Sequence, residues 1–252
     1  MNQAQFNYLQ PYFLENGYLP CKPFTIPTIL LPLNTEEAQA LGQSPAIPSE
    51  GRLDALNTTL AKAMRKLVNE EPVFVRLGTR SPKDVPDFRA FRGRTRLSYE
   101  AIGWLRSSQR VADDLAACRR YGYPPTVAVR EWLDIPLWSE FRCFVRKGEV
   151  VGLSQLHLHI GPAPEIIEAA AGIELAVHNF VNEFVHETKR WTCALDLFIE
   201  PGKDSDWVVT LIEINPMMSL TDPLLFSWQG HDMEGSFRYM TTRDRVAQSL
   251  HR

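Results

Sequence analysis

The sequence has few cysteines and no pattern that would use them together. They stand far apart, with no C-x-x-C pair and no Cys/His spacing of the zinc type: Cys21, Cys118, Cys143 and Cys193. Disulfide scaffolds and zinc modules are therefore excluded. A reduced, cytoplasmic protein is expected.

Long apolar runs and a strong charge of one sign are also lacking. No run of eighteen apolar residues occurs, and the N-terminal segment has no basic head followed by an apolar stretch. This predicts neither membrane insertion nor secretion. The net charge of −3 argues against a protein that coats nucleic acid with its whole surface. What is present, a hydrophobic fraction of 44%, is enough for a substantial core.

Apolar periodicity predicts a mixed succession of helices and strands. Helices are predicted over 52–70, 98–107, 108–121 and 164–189. Strands are predicted over 28–33, 72–77, 126–133, 139–148, 149–158, 191–200 and 207–215, with hairpins joining the last two pairs. The proline-rich residues 19–33 should run extended, and 42–51 should form a surface loop. The order predicts an α+β fold with antiparallel pairing dominant in the C-terminal half.

Oxygen-bearing side chains interrupt the apolar alternation of the last two strands. Asp196 does so in "CALDLFIE", and Glu213 and Asn215 do so in "TLIEIN". If these strands pair, the three side chains converge on one face. Carboxylate and amide oxygens suit Mg²⁺, which typically brings phosphates with it. The alternative is that each acid simply faces solvent on a half-exposed strand.

The segment "EFRCFV" places Glu140 and Arg142 two residues apart, so they share a face of their strand. Arg142 is then either available to a phosphate or paired with an acid across the sheet. Just before it, "REWLDIP" joins one strand to the next as a hinge that can offer backbone groups to a purine.

Basic residues are concentrated in one loop region. Between positions 76 and 96 the acidic residues are only Asp84 and Asp87, whereas seven residues are basic: Arg76, Arg80, Lys83, Arg89, Arg92, Arg94 and Arg96. Binding of a triphosphate, of a second anionic substrate such as an RNA end, or of an acidic protein surface all remain open, as does a solvated loop without a partner. Further on, His157 and His159 alternate on a predicted strand and would share a face. They serve there either as general acid and base or only as the polar side of the strand.

Ordered segments of the chain resemble the cell division cycle protein 123 family, an ATP-grasp branch whose eukaryotic members chaperone assembly of translation initiation factor two. The matching segments are "TILLPL", "FVRLGTRSPKD", "LSYEAIGWLRSS", "REWL", "EFRCFVRKGEVVGLSQ", "LDLFIE" and "LIEINPMMSLTDPLLFSW". The resemblance implies one ATP-grasp-like domain over 1–252. Its N-terminal lobe of about 1–125 and C-terminal lobe of about 126–252 would clamp ATP between antiparallel sheets.

The resemblance also implies roles for individual residues. Nucleotide-binding positions are Arg76, in place of a phosphate-contacting lysine, Lys83, the adenine hinge Glu131, Trp132 and Leu133, and the motif residues Glu140 and Arg142. The Mg²⁺ positions are Asp196, Asn215 and Glu213, the last in place of the usual aspartate. Where members usually read "SQRD", this chain has "SQLH".

Two functions follow as alternatives. One is an assembly chaperone of this family's type, in which ATP and Mg²⁺ stabilise a partner-binding conformation. The other is an ATP-dependent ligase or a nucleotidyl or phosphoryl transferase, with Arg76 and Arg142 as catalytic charges. Its acceptor, RNA or protein, would bind at Arg89, Arg92, Arg94 and Arg96. No K-x-D-G motif supports the lysyl-AMP route of ordinary RNA ligases.

Overall fold

A computed structural model describes residues 1–49, 51–203, 206–230 and 232–242, and the backbone of 245–250. The helices are α1 (Gln3–Leu9), α2 (Leu14–Cys21), α3 (Thr35–Gly42), α4 (Asp54–Val68), α5 (Pro86–Ala90), α6 (Ser98–Ser107), α7 (Gln109–Arg120) and α8 (Pro164–Thr188). The strands are β1 (Thr28–Pro32), β2 (Val73–Leu77), β3 (Arg94–Thr95), β4 (Thr126–Glu131), β5 (Glu140–Arg146), β6 (Glu149–Gln155), β7 (Cys193–Pro201), β8 (Trp207–Asn215), β9 (Ser236–Thr242) and β10 (Arg245–Leu250). Two units are formed, residues 1–17 with 27–133 and residues 18–26 with 134–252.

The first unit is built on a four-stranded antiparallel sheet with strand order β1-β4-β2-β3. Helix α4 repeats apolar residues at helical spacing, and Leu56, Leu60 and Met64 are buried in the core of this unit. Strand β4 pairs on both sides within this sheet, so the unit ends at Leu133 and not near residue 125.

The second unit holds a six-stranded sheet with order β10-β9-β6-β5-β7-β8. Only β6 and β9 run parallel among these pairings. The predicted β5–β6 hairpin is confirmed, with a tight turn at Lys147 and Gly148, whose φ angles are 55° and 88°. Helix α8 begins with Pro164 in its first turn and packs against β6, β8 and β9.

Strand β8 is an edge of the six-stranded sheet, and a distant segment covers part of it. Leu211 donates its N–H to the carbonyl of Phe24 at 2.7 Å, and the Thr25 hydroxyl donates to the Leu211 carbonyl at 2.7 Å. On the other side of β8, a bulge between Asp196 and Leu197 interrupts the pairing with β7. The edge is thus covered at its middle by residues far away in the sequence.

The α+β class is confirmed, but the N-terminal region contains helices that the proline-rich pattern concealed. Helix α2 extends into the stretch predicted to be extended and contains Pro20. Helix α3 precedes the predicted loop and begins with a capping box, in which Asn34 and Glu37 bond to each other's backbone N–H. This capping pattern is readable in the sequence and marks where the helix begins.

The predicted strand over 149–158 is too long at its end. Strand β6 ends at Gln155, whose side-chain amide donates to the carbonyls of His157 at 3.4 Å and Gly161 at 3.0 Å. These bonds turn the chain into a short 3-10 helix, Leu158–Ile160. The prediction that His157 and His159 share a strand face is therefore wrong.

The four cysteines are buried free thiols. Within the described part of the chain, every helix falls short of the length and apolarity that a membrane span requires.

Candidate functional site

Three neighbouring strands of the second unit bring the predicted magnesium residues together with Arg142. Asp196 on β7 lies opposite Arg142 on β5 and opposite Glu213 on β8. Asn215 lies two residues beyond Glu213 on β8. The antiparallel register therefore places all four side-chain positions in one part of the sheet. The interrupted alternation predicted this convergence for the three oxygen-bearing residues.

The geometry of this cluster is set by a two-pronged ion pair. Arg142 donates Nε to Oδ1 of Asp196 at 2.7 Å and Nη2 to Oδ2 at 2.9 Å. Its third group, Nη1, donates to the backbone carbonyl of Asp222 at 2.9 Å. The two charged side chains are only 12% and 11% exposed. Of the two roles predicted for Arg142, the structure contains the pairing with an acid across the sheet.

The charge of Arg142 is firmly retained. Burial acts to lower the pKa of Arg142, but the hydrogen bonds and negative charge of Asp196, with the charges of Asp222 and Glu213, raise it above its ordinary value. The guanidinium is therefore a permanent cation between acids.

Asn215 completes the cluster through its amide. Its Nδ2 donates to Oδ2 of Asp196 at 3.1 Å. Because a carboxylate only accepts, the nitrogen must face Asp196 and the amide oxygen must face away from this bond. Among the described residues, no three His, Cys, Asp or Glu side chains group as a metal site. The donor set of Asp196, Glu213 and the Asn215 oxygen nevertheless fits Mg²⁺, which accepts carboxylate and amide oxygens without Cys or His.

Glu140, the other residue of the predicted motif, contacts a histidine. Its Oε1 lies 2.9 Å from Nε2 of His157, and both side chains are partly exposed. The His157 and His159 rings are 5.6 Å apart and nearly perpendicular. His157, in "SQLH", thus supplies Glu140 with a polar partner.

In the first unit, Arg76 is buried at 5% exposure. Its Nε donates to the carbonyl of Leu77 at 3.0 Å, and its charge acts on the carboxylate of Glu15. Glu15 accepts a bond from the Tyr123 hydroxyl at 2.8 Å. A Cβ at Gly78 would come within 1.8 Å of Oε2 of Glu15, so a glycine leaves room for the carboxylate. Sequence patterns did not point to Glu15 or Tyr123, because neither stands in a motif.

Burial raises the pKa of Glu15 above 4.5, although backbone and Tyr123 hydrogen bonds and the Arg76 charge act in the opposite direction. Ionising Glu15 therefore costs more in the folded than in the unfolded chain. Relative to Glu15→Gln, the wild type should gain stability as pH falls from neutral through the raised pKa toward 4.5. Thermal unfolding of both proteins at several pH values measures this. Glu36→Gln, at an exposed position, controls for net charge, and parallel profiles for wild type and Glu15→Gln would contradict the prediction.

The predicted adenine hinge is already hydrogen-bonded within the first unit. The N–H of Glu131 donates to the Pro27 carbonyl at 3.0 Å, and that of Trp132 donates to the Pro72 carbonyl at 3.4 Å. The half-buried Leu133 ends the unit. These two N–H groups are therefore engaged before any ligand binds.

The basic residues between 76 and 96 do not form one uniform patch. Arg80 pairs with Asp114 at 3.1 Å, and Arg96 pairs with Glu71 at 3.4 Å. The guanidinium carbons of Arg92 and Arg94 lie 6.0 and 5.1 Å from the centre of the Trp132 ring. Lys83 and Arg89 are exposed. The local positive charge is thus partly used inside the unit.

Parts of this chain match a family model and the sequences of known proteins. The D123 family model matches residues 34–249. A cell division cycle protein 123 from Eremothecium gossypii is 38% identical over 106 residues, covering 40% of this chain and 28% of that protein. A translation initiation factor eIF2 assembly protein from Kluyveromyces lactis is 35% identical over 107 residues, covering 40% of this chain and 27% of that protein. The aligned part is thus under a third of these relatives' length.

The fold of this chain also resembles a solved structure. Cdc123 from Schizosaccharomyces pombe superposes with a TM-score of 0.77 at 20% identity, covering 94% of this chain and 98% of that chain. The two chains therefore share a fold.

Proposed function

This chain belongs to the D123 family, and from that premise we propose that its second unit binds ATP with Mg²⁺ and that the nucleotide stabilises a conformation able to bind a protein partner. By analogy with the eIF2 assembly proteins it resembles, the partner would be a component of a translation initiation factor. We also propose that this chain is related to the ATP-grasp proteins, as the family's sequence motifs imply.

The observation that carries the nucleotide proposal is the cluster on β5, β7 and β8. Asp196, Glu213 and Asn215 supply hard oxygen ligands, and Arg142 supplies a permanent cation beside them. Mg²⁺, when bound, neutralises the charge of the phosphates. The chain's own part is to hold the ligands on paired strands and to present Arg142, whose planar fork suits phosphate as well as carboxylate.

Features of the first unit favour the assembly role over an acceptor site. Four of the basic residues between 76 and 96 contact side chains within this unit, namely Arg80, Arg92, Arg94 and Arg96. Large apolar side chains in the same region are exposed: Phe91 by 57%, Leu97 by 44% and Tyr99 by 65%. Exposed apolar surface is typical of protein contacts.

The test is calorimetric titration of ATP in the presence and absence of Mg²⁺. The wild type should bind ATP more tightly with Mg²⁺, and Asn215→Ala should weaken Mg²⁺-dependent binding by about tenfold or more, because the amide both donates an oxygen ligand and orients Asp196. Val208→Ala, at an exposed position near the start of β8, is the matched control.

Equal ATP affinity in wild type and Asn215→Ala would contradict the metal assignment. ATP labelled at the α or γ phosphate separates the two function classes. ATP cleavage no greater than in the cell extract alone, with no labelled acceptor, supports the chaperone. Label transferred to an acceptor, and lost in Asn215→Ala, would move the assignment to the ligase or transferase.

A further inference from the structure

Resting on the proposed function, we infer that Arg142 makes metal binding depend on polyphosphate. Without a ligand, the guanidinium of Arg142 occupies the place of the metal beside Asp196. When a polyphosphate binds, the guanidinium pairs with a phosphate group and leaves that place to the metal. Metal alone then binds weakly, and metal with a nucleoside triphosphate binds well.

The register explains why a cation is required at this place. Asp196 and Glu213 stand directly opposite each other on β7 and β8, where like charges destabilise a strand pair. A positive charge beside them removes this penalty. In the structure that charge belongs to Arg142, which reaches Asp196 from the neighbouring strand β5.

The bonds show that Arg142 and a metal compete for the same atoms. Oδ1 of Asp196 accepts from Nε of Arg142, and Oδ2 accepts from both Nη2 of Arg142 and Nδ2 of Asn215. These three bonds take three of the roughly four lone-pair sites of the Asp196 carboxylate, so a metal that binds it either replaces a guanidinium bond or lies against the positive guanidinium. Charge-assisted two-pronged bonds are among the strongest hydrogen bonds in proteins, so a metal alone binds at a disadvantage.

A polyphosphate removes this disadvantage because it offers the guanidinium an equivalent partner. Phosphate oxygens match the same planar fork that now holds Asp196. The Nη1 bond to the Asp222 carbonyl keeps the head of Arg142 near the cluster, since it involves neither oxygen of Asp196. By reciprocity, whatever factor the triphosphate adds to metal affinity, the metal adds to triphosphate affinity.

The experiment measures Mn²⁺ binding twice, once alone, by the loss of the free-ion electron paramagnetic resonance signal, and once as Mn·ATP, by calorimetry. Wild type should bind Mn²⁺ alone weakly and Mn·ATP strongly. Arg142→Gln should bind Mn²⁺ alone about tenfold more tightly, because a charge-assisted competitor is gone. The same variant should bind Mn·ATP more weakly than wild type.

Arg142→Lys tests the same point with the charge retained. An ammonium group cannot bond both carboxylate oxygens as a fork, so Mn²⁺ alone should bind more tightly than to wild type, by a smaller factor than in Arg142→Gln. Arg238→Gln is the matched control, because Arg238 is also 12% exposed and pairs with Asp232 elsewhere in the second unit. It should leave both titrations unchanged.

Unchanged Mn²⁺ affinity in folded Arg142→Gln and Arg142→Lys, with wild type still binding Mn·ATP, would overturn the inference and leave the proposed function standing. Absence of Mn·ATP binding by wild type would overturn the proposed function itself, and the inference with it.

Discussion

Replacing Arg142 with alanine is expected to lower the free energy of unfolding by about 3 kcal/mol in metal-free solution, because it leaves the carboxylate of Asp196 enclosed without its cation. The Asp196 side chain is 11% exposed and lies opposite Glu213, so removal of Arg142 leaves two acids facing each other. Urea unfolding followed by tryptophan fluorescence measures the loss.

The double variant Arg142→Ala with Asp196→Asn isolates the interaction between the two side chains. It should be more stable than the sum of the single effects predicts, with a coupling of about 1–3 kcal/mol. Arg96→Ala breaks an exposed pair, with Arg96 54% and Glu71 77% exposed, and should cost at most about 1 kcal/mol. Additive effects of the Arg142 and Asp196 changes would show that the pair contributes no net stability.

The second large effect is expected at Gly93, between α5 and β3. Gly93→Ala should destabilise the protein by about 2–4 kcal/mol through backbone strain and overpacking. Gly93 has φ +69°, and a Cβ there would lie 2.5 Å from Cε2 of Phe74 and 2.8 Å from Cζ of Phe88. These two rings pack edge to face with centroids 5.3 Å apart, so they have little room to move.

Gly103 provides the control for this substitution. It lies in α6, and a Cβ there would meet nothing within 4 Å. Gly103→Ala should stabilise the protein by about 0.5–1 kcal/mol, because alanine has the higher helix propensity. Thermal unfolding of both variants decides the point, and similar melting temperatures for the two would contradict the role of the aromatic rings.

The strands that build the candidate site were predictable because polar residues interrupt their otherwise apolar pattern. A strand in a core is apolar on each face that it buries, so Asp196 and Glu213 are conspicuous, and hairpin pairing places them opposite each other. Helix α8 was predictable for the same reason, from a sustained apolar pattern. Local rules determine both features.

Other features depend on contacts that no local pattern specifies. Whether Arg142 faces a ligand or Asp196 is decided across strands, and the Asp222 carbonyl that holds it has no side-chain signature. The burial of Arg76 beside Glu15 joins residues far apart in the sequence. The turn at His157 depends on the side-chain bonds of Gln155, which alternation of apolar residues does not reveal.

The cover over the edge of β8 has a consequence for synthesis of the chain. Thr25 and Leu211 are separated by 186 positions, and the second unit takes residues 18–26 from between the two parts of the first unit and the remainder from after it. A ribosome therefore synthesises the whole first unit before β8 exists, and the short segment that covers β8 is made long before its partner. A gene fragment for residues 134–252 alone would encode a sheet whose middle edge amide at Leu211 lacks its native acceptor, and uncovered strand edges favour aggregation. The second unit thus requires residues 18–26 as well as residues 134–252, and the C-terminal fragment alone does not contain all of it.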